Sequence, residues 1–367
     1  MINRGELGAW LRLLETPGLG RQSARKLLAA FGSPEAAISA GASARRQVIG
    51  PIPSSALDTL PDALPALLDT TLEWLDAEVP EPRAVIAIGD PRYPHALLES
   101  PDPPLLLYVR GRIELLQADA IAIVGTRNPT PQGADNARAF AAHLSHAGLT
   151  VVSGLALGVD AAAHEGGLQG AASTIAVVGT GADIVYPRRN LALAQRIAAE
   201  GLIVSEYALG TPSMAPNFPR RNRIIAGLGR GTLVVEAALK SGSLITARLA
   251  NEAGRDVFAI PGSIHSPQAR GCHALIKQGA KLVESAADIF DDLRPASAAP
   301  RAVQADNAPH ADAPLLDALG FDPVTLDALV ARTGWGAAEL TARLFTLELD
   351  GLVARLAGQL FQRLPAR

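Results

Sequence analysis

The segment that decides the fold is residues 120–127, AIAIVGTR, in which five apolar residues run directly into Gly125, Thr126 and Arg127. Five consecutive apolar residues fit a strand that is buried on both faces. A helical pattern follows at residues 133–147. A buried strand, a glycine turn and a helix together begin a parallel α/β unit. The segment therefore predicts a Rossmann-like sheet, whose ligands lie beyond the carboxyl ends of its strands.

The same alternation of apolar runs and helical patterns continues from residue 83 to residue 295. Further runs that predict strands lie at residues 84–88, 105–109, 150–152, 174–178, 202–204, 233–235, 257–260 and 281–283. Most are separated by helical patterns, such as those at residues 158–168, 191–200 and 244–253. Strands that are apolar on both faces are typical of parallel sheets covered by helices. We therefore expect residues 83–294 to form an α/β domain with a doubly wound, mostly parallel sheet.

Residues 1–78 are expected to form a separate helical domain. Apolar residues recur at helical spacing from Leu7 to Leu14, and a second such run follows the turn PGLG at residues 17–20. Two helices joined by a tight glycine turn resemble a helix-hairpin-helix, in which the turn amides can face a phosphate. A plain structural turn fits the same residues, so both interpretations stay open.

The C-terminal region is expected to contain a linker and a small domain. Residues 295–312 are rich in proline and alanine without a period, which is typical of a linker. Three helical patterns and two short apolar runs follow, so residues 313–367 are expected to form a winged helix. Winged helices bind duplex DNA or proteins. With 6 basic and 8 acidic residues after residue 295, the sequence leaves both kinds of partner open.

Composition argues against several classes of protein. The single cysteine, Cys272, permits no disulfide framework and no cysteine zinc cluster, so we expect a core thiol and a cytoplasmic location. No apolar run is long enough to span a membrane, and the N-terminus has no apolar signal segment. The seven histidines lack metal-ligand spacing, so no metal site is expected.

Charge is distributed unevenly along a chain whose formal net charge is −3. Residues 119–295 hold 16 basic and 14 acidic side chains, whereas both flanking regions are acidic. Between Glu206 and Glu236 there is no acidic residue but there are four arginines. A polyanion responds to such local fields, because screening removes contributions beyond about 8 Å at physiological salt. The middle domain is therefore the expected binding region for a polyanion, although a solvated basic face has the same pattern.

Three glycine-containing loops follow predicted strands, at residues 125–127, 153–158 and 179–181. Glycine lets the backbone approach an anion closely, and the following helix offers free amides and its positive dipole end. Several such loops at one sheet edge suit a polymer of phosphates, with Arg127, Arg188 and residues 220–223 as partners. No G-x-G-x-x-G or G-K-[ST] motif occurs, which disfavours a nicotinamide enzyme or a P-loop ATPase, and no cofactor is expected.

Five longer runs occur in a recognisable order. They are VGTR at 124–127, SGLALGVD at 153–160, YPRRN at 186–190, FPRRNRIIAG at 218–227 and EAALKSGSL at 236–244. Together with DPRYP at 90–94, they resemble the DNA-processing protein A family of bacteria. The resemblance is continuous over residues 83–290. The N-terminal domain is similar to the family's SAM-like module, and the C-terminal domain is similar to a winged helix found in many members.

The resemblance implies a protein that binds single-stranded DNA and is not an enzyme. Such proteins protect incoming single strands during natural transformation and recombination, and they help to load the RecA recombinase. Family members bind DNA in a positive pocket of the Rossmann-like domain and form homodimers through that domain.

The resemblance also implies which residues contact DNA. Arg127 falls on the family's pocket arginine, and Arg188 falls where a lysine is common. The other expected DNA-binding residues are Gly125, Thr126, Ser153, Gly154, Gly158, Gly179, Gly181, Asn190, Arg220, Arg221, Asn222, Arg223 and Lys240. No catalytic residue is expected.

Two other functions stay open. Residues 229–232, GRGT, together with Glu236, are similar to a motif of nucleoside-monophosphate phosphoribohydrolases, in which a glutamate assists glycosidic cleavage. Here Glu236 lies four residues beyond Thr232 instead of three, and the Pro-Gly-Gly lead-in is absent. The second alternative is a protein adaptor with incidental DNA contact, which predicts weak binding without a preference for single strands.

Overall fold

The computed structural model describes residues 2–293, 312–356, 358 and 360–364. Nearly all of the expected linker, residues 295–311, lies outside the described residues. The described chain forms a helical N-terminal region, a central α/β domain and a small C-terminal domain. The expected fold class, a Rossmann-like sheet with helical and winged-helix flanks, is confirmed.

Six helices make up the N-terminal region between residues 2 and 78. They are α1 (Arg4–Glu15), α2 (Arg21–Phe31), α3 (Pro34–Ser39), α4 (Ala42–Ile49), α5 (Pro51–Ala56) and α6 (Leu64–Asp76). α1 and α2 flank the glycine turn, as the two apolar runs predict. Gly18 in that turn has a φ of +82°, a left-handed conformation that glycine adopts at low cost. Contact of this turn with a phosphate stays a prediction.

The central domain is built on one nine-stranded sheet. Its strands are β1 (Arg83–Ala87), β2 (Leu106–Gly111), β3 (Ala120–Val124), β4 (Thr150–Ser153), β5 (Thr174–Val178), β6 (Leu202–Ser205), β7 (Gly231–Val234), β8 (Asp256–Ala259) and β9 (Lys281–Leu282). Their order across the sheet is β1-β2-β6-β5-β4-β3-β7-β8-β9. β2 runs antiparallel to both of its neighbours, and the other adjacent strands are parallel.

Helices cover both faces of this sheet. They are α7 (His95–Leu98), α8 (Pro131–His146), α9 (Val159–Gly167), α10 (Leu191–Glu200), α11 (Asn217–Leu228), α12 (Ser243–Glu252), α13 (Arg270–Lys277) and α14 (Ala286–Leu293). On one face Ile121 packs in a common core with Leu144 of α8. On the other face Ile224 of α11 and Cys272 of α13 share a core. Cys272 is fully buried, which confirms the expected core thiol, and burial raises its pKa to about 12.

The strand order reverses at β3. β4, β5 and β6 extend the sheet to one side of it, and β7, β8 and β9 extend it to the other. Such a reversal leaves a crevice beyond the carboxyl ends of the two adjacent strands, which is where open α/β sheets bind ligands. The crevice here lies between the loop after β3 and the segment after β7.

The N-terminal helices pack against the antiparallel edge of the sheet. Leu7 and Leu11 of α1 share a core with Leu106 of β2. Trp74 of α6 meets Tyr108 of β2 edge to face, with ring centroids 6.4 Å apart. Because these side chains form one apolar cluster, the helical region is tied to the sheet by burial as well as by the chain itself.

The C-terminal domain has the three helices and the wing that the sequence predicts. Its described elements are α15 (Ala313–Leu319), β10 (Val324–Thr325), α16 (Leu326–Thr333), α17 (Ala337–Leu349), β11 (Val353–Leu356) and β12 (Leu360–Arg363). β11 and β12 form the antiparallel wing, and β10 pairs with the other edge of β12. Leu329, Leu344 and Phe361 lie in a core that belongs to this domain.

The described ranges hold neither a membrane-spanning helix nor a candidate metal site. No helix there has the length and apolarity needed to cross a lipid bilayer. His143 and His146 lie exposed on α8, where His143 contacts Phe290 and His146 bonds to the carbonyl of Ala142. The described residues contain no group of three His, Cys, Asp or Glu side chains that suits a metal ion.

Candidate nucleic-acid interface

A cavity of about 780 Å³ lies in the crevice where the strand order reverses. The loop after β3 contributes Thr126 and Arg127, and α11 contributes Phe218 and Asn222. The segment that leads from β7 into α12 contributes Lys240. With Gly125 and Arg221, which also line it, the structure brings six of the expected site residues together around one opening. A smaller recess of about 70 Å³ adjoins it, lined by Arg127, Tyr186 and Phe218 among others.

Arg127 is an exposed cation at this opening, as is Lys240. Its guanidinium carbon lies 5.9 Å from the centroid of the Phe218 ring. It forms no ion pair or side-chain hydrogen bond with any described residue, so its donors are available to an anion. The backbone that carries it is fixed by Gly158, which has a φ of +83°. A Cβ at Gly158 would lie 2.5 Å from the Thr126 carbonyl oxygen and 2.6 Å from that of Arg127, so only glycine fits there.

Two aromatic rings at the same opening were absent from the expected site. The rings of Tyr186 and Phe218 lie 5.5 Å apart in a tilted arrangement, and Tyr186 is 45% exposed. A Cβ at Gly179 would lie 3.0 Å from the Phe218 ring, so this expected site residue lies directly against that ring. Both aromatics stand immediately before a proline and two arginines in the sequence, and that repeated pattern was the available signal.

Arg221, which was expected to contact DNA, is buried in the wall of the site. One of its terminal nitrogens donates to the carbonyl oxygens of Gly154, at 2.5 Å, and Val177. Burial lowers the pKa of Arg221, although the nearby carboxylate of Asp160 opposes that shift. The guanidinium thus supports the loop at residues 153–158 from beneath. One of its two terminal nitrogens is thereby occupied, and its expected contact with a phosphate stays a prediction.

Three amides of the loop at residues 153–158 also point inward. Asp160 Oδ2 accepts from the amides of Gly154, at 3.1 Å, and Ala156, at 3.3 Å. The amide of Leu155 donates to His164 Nε2 at 3.2 Å, and Leu155 has a φ of +57°. A carboxylate and an imidazole of the protein therefore occupy the positions expected for a phosphate. The expectation that these loop amides face a bound anion is corrected.

Ser153 and Asn190 are buried supports of the same loop. The hydroxyl of Ser153 donates to the carbonyl oxygen of Ile123 at 2.7 Å. The amide of Asn190 donates to the carbonyl oxygens of Leu155, at 2.9 Å, and Ala156, at 3.2 Å. Both side chains are spent on protein partners, so their expected contact with DNA is corrected to a structural one.

The glycines of the other two loops permit close packing beneath the crevice. A Cβ at Gly125 would lie 2.6 Å from a methyl carbon of Val159, and one at Gly181 would lie 2.4 Å from the carboxylate of Asp183. The amide of Gly181 donates to the Thr211 carbonyl oxygen at 3.0 Å. These glycines therefore shape the floor of the site, and the side chains around the cavity supply its anion-binding groups.

Arg223 points away from the cavity towards the N-terminal region. It forms ion pairs with Asp102, at 2.7 Å, and Glu206. The same two carboxylates also pair with Arg21 and Arg25 of α2. The sequence between Glu206 and Glu236 has no acid, yet Asp102 reaches Arg223 from a distant part of the chain. Arg223 therefore belongs to an ion-pair network between elements, and its expected contact with DNA is corrected.

Three further expected or neighbouring cations lie exposed outside the cavity lining. Arg188 and Arg189 stand in the short 3-10 turn Arg188–Asn190, and Arg220 lies on α11. None of the three forms an ion pair with a described residue. Their charges are thus available to a polyanion that runs across the mouth of the crevice.

Comparison with known proteins agrees with this architecture. Residues 84–294 match the family model DNA recombination-mediator protein A, and residues 297–359 match the DprA winged helix domain. Protein Smf of Synechocystis is 39% identical over 312 residues, which cover 75% of this chain and 78% of that protein.

Two solved structures are similar as well. The crystal structure of DNA processing protein A from Streptococcus pneumoniae matches with a TM-score of 0.68 and 38% identity, covering 78% of this chain and 97% of that one. DNA processing protein A from Helicobacter pylori, whose structure is described for its single-stranded DNA binding mode, matches with a TM-score of 0.52 and 32% identity. That match covers 57% of this chain and 95% of the other. The chain belongs to the DNA recombination-mediator protein A family.

Proposed function

We propose that this chain binds single-stranded DNA across the crevice between β3 and β7. The observation that carries the proposal is the unpaired guanidinium of Arg127, which lies over the Phe218 ring at the cavity mouth. Lys240 and Asn222 line the same cavity and offer further donors to phosphate oxygens. Phosphate contacts carry no base information, so the binding is independent of sequence.

A single strand fits the site better than a duplex because the aromatic rings need unstacked bases. Tyr186 and Phe218 present ring surfaces beside Arg127, and a base stacked on such a ring contributes about 1–3 kcal/mol. In a duplex the base faces are covered by their neighbours. The exposed Arg188 and Arg220 are sequence neighbours of lining residues, and they extend the positive surface available to the strand.

The wider role follows from the family. We propose that the chain protects single strands, helps to load the RecA recombinase on them during transformation and recombination, and acts in the cytoplasm without a catalytic step. The described Helicobacter relative supports the DNA partner. RecA loading is tested by following filament formation on single strands with and without the protein, and faster formation is the expected result.

We also propose a homodimer formed through the central domain. β9 is the outer strand of the sheet, and Leu282 on it is 42% exposed. Leu239, at the nearby end of the segment after β7, is 59% exposed. An open strand edge with exposed apolar side chains is suited to pairing with another chain. The mass measured by light scattering should be twice that of the chain.

The Arg127→Ala variant tests the DNA site. We expect its affinity for an oligothymidine to be about tenfold weaker, because one charged hydrogen-bonding group is lost. The slope of log affinity against log salt should fall by about 0.7. Fluorescence anisotropy at several salt concentrations measures both quantities.

The matched control is Arg4→Ala, which removes an exposed arginine from the N-terminal helices. It should leave affinity and slope unchanged. A duplex of the same length tests the adaptor alternative, which predicts weak binding to both substrates. The proposal is wrong if Arg127→Ala binds single strands as tightly as the unaltered protein, with the same slope.

A further inference from the structure

The first turn of α8 holds a carboxylate supplied by another element. Glu236 follows β7, and its side chain reaches across to the loop that precedes α8. The backbone amide of Thr130 donates to Glu236 Oε2 at 2.9 Å, and the hydroxyl of Thr130 donates to Oε1 at 2.6 Å. Both carboxylate oxygens are therefore held at the N-terminal end of this 16-residue helix.

Gly133 makes the space for this carboxylate. A Cβ at Gly133 would lie 2.4 Å from Glu236 Cδ and 2.6 Å from each of its oxygens. Any other residue at this position would expel the carboxylate from the helix. The close fit at Gly133 and the two hydrogen bonds from Thr130 are separate features that define one anion-sized position.

Glu236 occupies the helix end that binds phosphates in other doubly wound sheets. α8 follows β3, the strand at which the order reverses. In nucleotide-binding members of this fold class, the phosphates sit at the N-terminus of the helix after that strand, because its free amides and dipole attract negative charge. Here the protein's own carboxylate already occupies that end of the helix. Glu236 is also absent from the residues that line the described cavity.

We propose that Glu236 is a specificity-determining residue that closes this crevice to the phosphates of free nucleotides. The carboxylate takes the anion position of α8, and a second anion there would meet its negative charge. The side chains on the other part of the crevice, among them Arg127, Asn222 and Lys240, are left for phosphates. That last step rests on the proposed function, whereas the closure itself does not. A glutamate engaged in this way also does not fit the glycosidic role of the phosphoribohydrolase alternative.

The test asks whether removing the carboxylate opens the position. Full-length protein and the Glu236→Ala variant are melted in inorganic phosphate and in chloride at matched ionic strength, and both are titrated calorimetrically with phosphate and thymidine 5′-monophosphate. Phosphate should raise the melting temperature of Glu236→Ala more than that of the unaltered protein. The calorimetric titrations should show one more bound phosphate in the variant, because uptake at Arg127 and Lys240 is common to both proteins.

The Glu236→Gln variant separates volume from charge. Glutamine fills the position without a negative charge, so it should gain no phosphate uptake. A Glu236→Ala variant that melts cooperatively but takes up no more phosphate than the unaltered protein overturns the proposal. If Glu236→Ala does not fold in chloride, refolding in phosphate should restore it, and failure to do so counts against the proposal.

The two proteins share the DNA site, so the difference in phosphate uptake between them is independent of that site. Weakened single-strand binding by Arg127→Ala, together with no extra phosphate uptake by Glu236→Ala, would leave the proposed function standing and remove this inference. Unchanged single-strand binding by Arg127→Ala, together with extra phosphate uptake by Glu236→Ala, would remove the proposed function and leave this inference standing.

Discussion

His164 is held as a neutral ring beneath the 153–158 loop. It is fully buried, and its Nε2 accepts the Leu155 amide. The proton is thereby assigned to Nδ1, which donates to Thr174 Oγ1 at 2.7 Å, and that hydroxyl donates to the Val151 carbonyl oxygen. Burial and the charge of Arg221 lower the pKa of His164 to about 3. A second ring proton would face an N–H group, so protonation breaks the support of the loop.

This predicts an acid-sensitive fold. A histidine in the unfolded chain has a pKa of about 6.5, so below that pH the unfolded state binds one more proton than the folded state. The contribution of neutral His164 to the free energy of unfolding is complete above pH about 6.5. It is lost as the pH falls towards 3, at about 1.4 kcal/mol per pH unit. By pH about 5 the loss amounts to about 2 kcal/mol.

The His164→Gln variant should remove this slope. Glutamine does not gain a proton, so the free energy of unfolding of this variant should fall less steeply as the pH decreases. The slope should be smaller by about 1.4 kcal/mol per pH unit, the effect of one proton, whatever the stability of the variant at neutral pH. Chemical denaturation across the pH range measures the slope. His143→Gln, which removes an exposed histidine, is the matched control and should keep the slope of the unaltered protein. Equal slopes for His164→Gln and the unaltered protein would contradict this account.

Neighbouring arginines show what the sequence could not determine at the scale of residues. Arg220 is exposed, Arg221 is buried against loop carbonyls, and Arg223 is paired with Asp102 and Glu206. Successive residues of a helix point about 100° apart, so one motif distributes its side chains over different surroundings. The motif located the helix at the site. The partners that bury or pair each arginine come from distant segments, and no local pattern contains them.

At the scale of elements, an ion-pair network joins α2 to α11. Glu206 pairs with Arg21 at 2.6 Å and with Arg223, and its side chain is only 9% exposed. Asp102 lies between Arg25 and Arg223, and although burial tends to raise its pKa, the charges of these arginines lower it overall. α11 also carries Phe218 and Asn222 of the site. The network therefore anchors α11, the helix that carries these site residues, to the N-terminal region.

Glu206→Gln is expected to lower the free energy of unfolding by about 3 kcal/mol, because it leaves two arginines without their buried partner. Urea denaturation measures the change. The matched control is Glu165→Gln, which breaks an ion pair with Arg138. The side chain of Glu165 is 42% exposed. Surface pairs contribute about 0–1 kcal/mol, so the control should lose much less. Similar losses for the two variants would show that the network does not stabilise the fold.

The elements themselves were largely predictable. The apolar run at residues 120–124 coincides with β3, and the run at 84–88 differs from β1 by one residue. The helical pattern at 133–147 begins two residues late, because Thr130 caps α8 and Pro131 fits its first turn. The inward-facing amides of the loop at residues 153–158 were not predictable. Asp160 and His164 accept from them only once the next helix packs beneath the loop.

At the scale of the whole molecule, charge is divided between domains. Residues 119–295 have a net charge of +2 from 16 basic and 14 acidic residues, while the chain as a whole is at −3. Screening confines each exposed charge to about 8 Å, so a strand at the crevice experiences the local cations there. The acidic flanks do not prevent binding at that surface. The acidic charge of the C-terminal flank does affect whether the C-terminal domain adds a second DNA contact.

Three of the four described arginines of the winged helix have an ionic or hydrogen-bonded partner. Arg343 on α17 pairs with Asp312 at 2.6 Å and lies 4.7 Å from the Trp335 ring. Arg363 pairs with Asp317, Arg355 lies over an aromatic ring, and Arg332 donates to a carbonyl. The exposed surface of α17 carries acidic residues and a phenylalanine that is 60% exposed. Duplex binding requires cations that face the phosphates, so the protein-binding alternative is favoured for this domain.

Removal of residues 296–367 tests that division of labour. Since three of the four described arginines of the winged helix are already engaged, the shortened protein should keep its affinity for single strands within about twofold, and its weak duplex binding should decrease little. The salt slope should be unchanged, because no phosphate contact is lost. Anisotropy titrations of both substrates measure these quantities, with Arg127→Ala in the full chain as the positive control for a lost contact. A large loss of duplex affinity on truncation would instead assign DNA recognition to the winged helix.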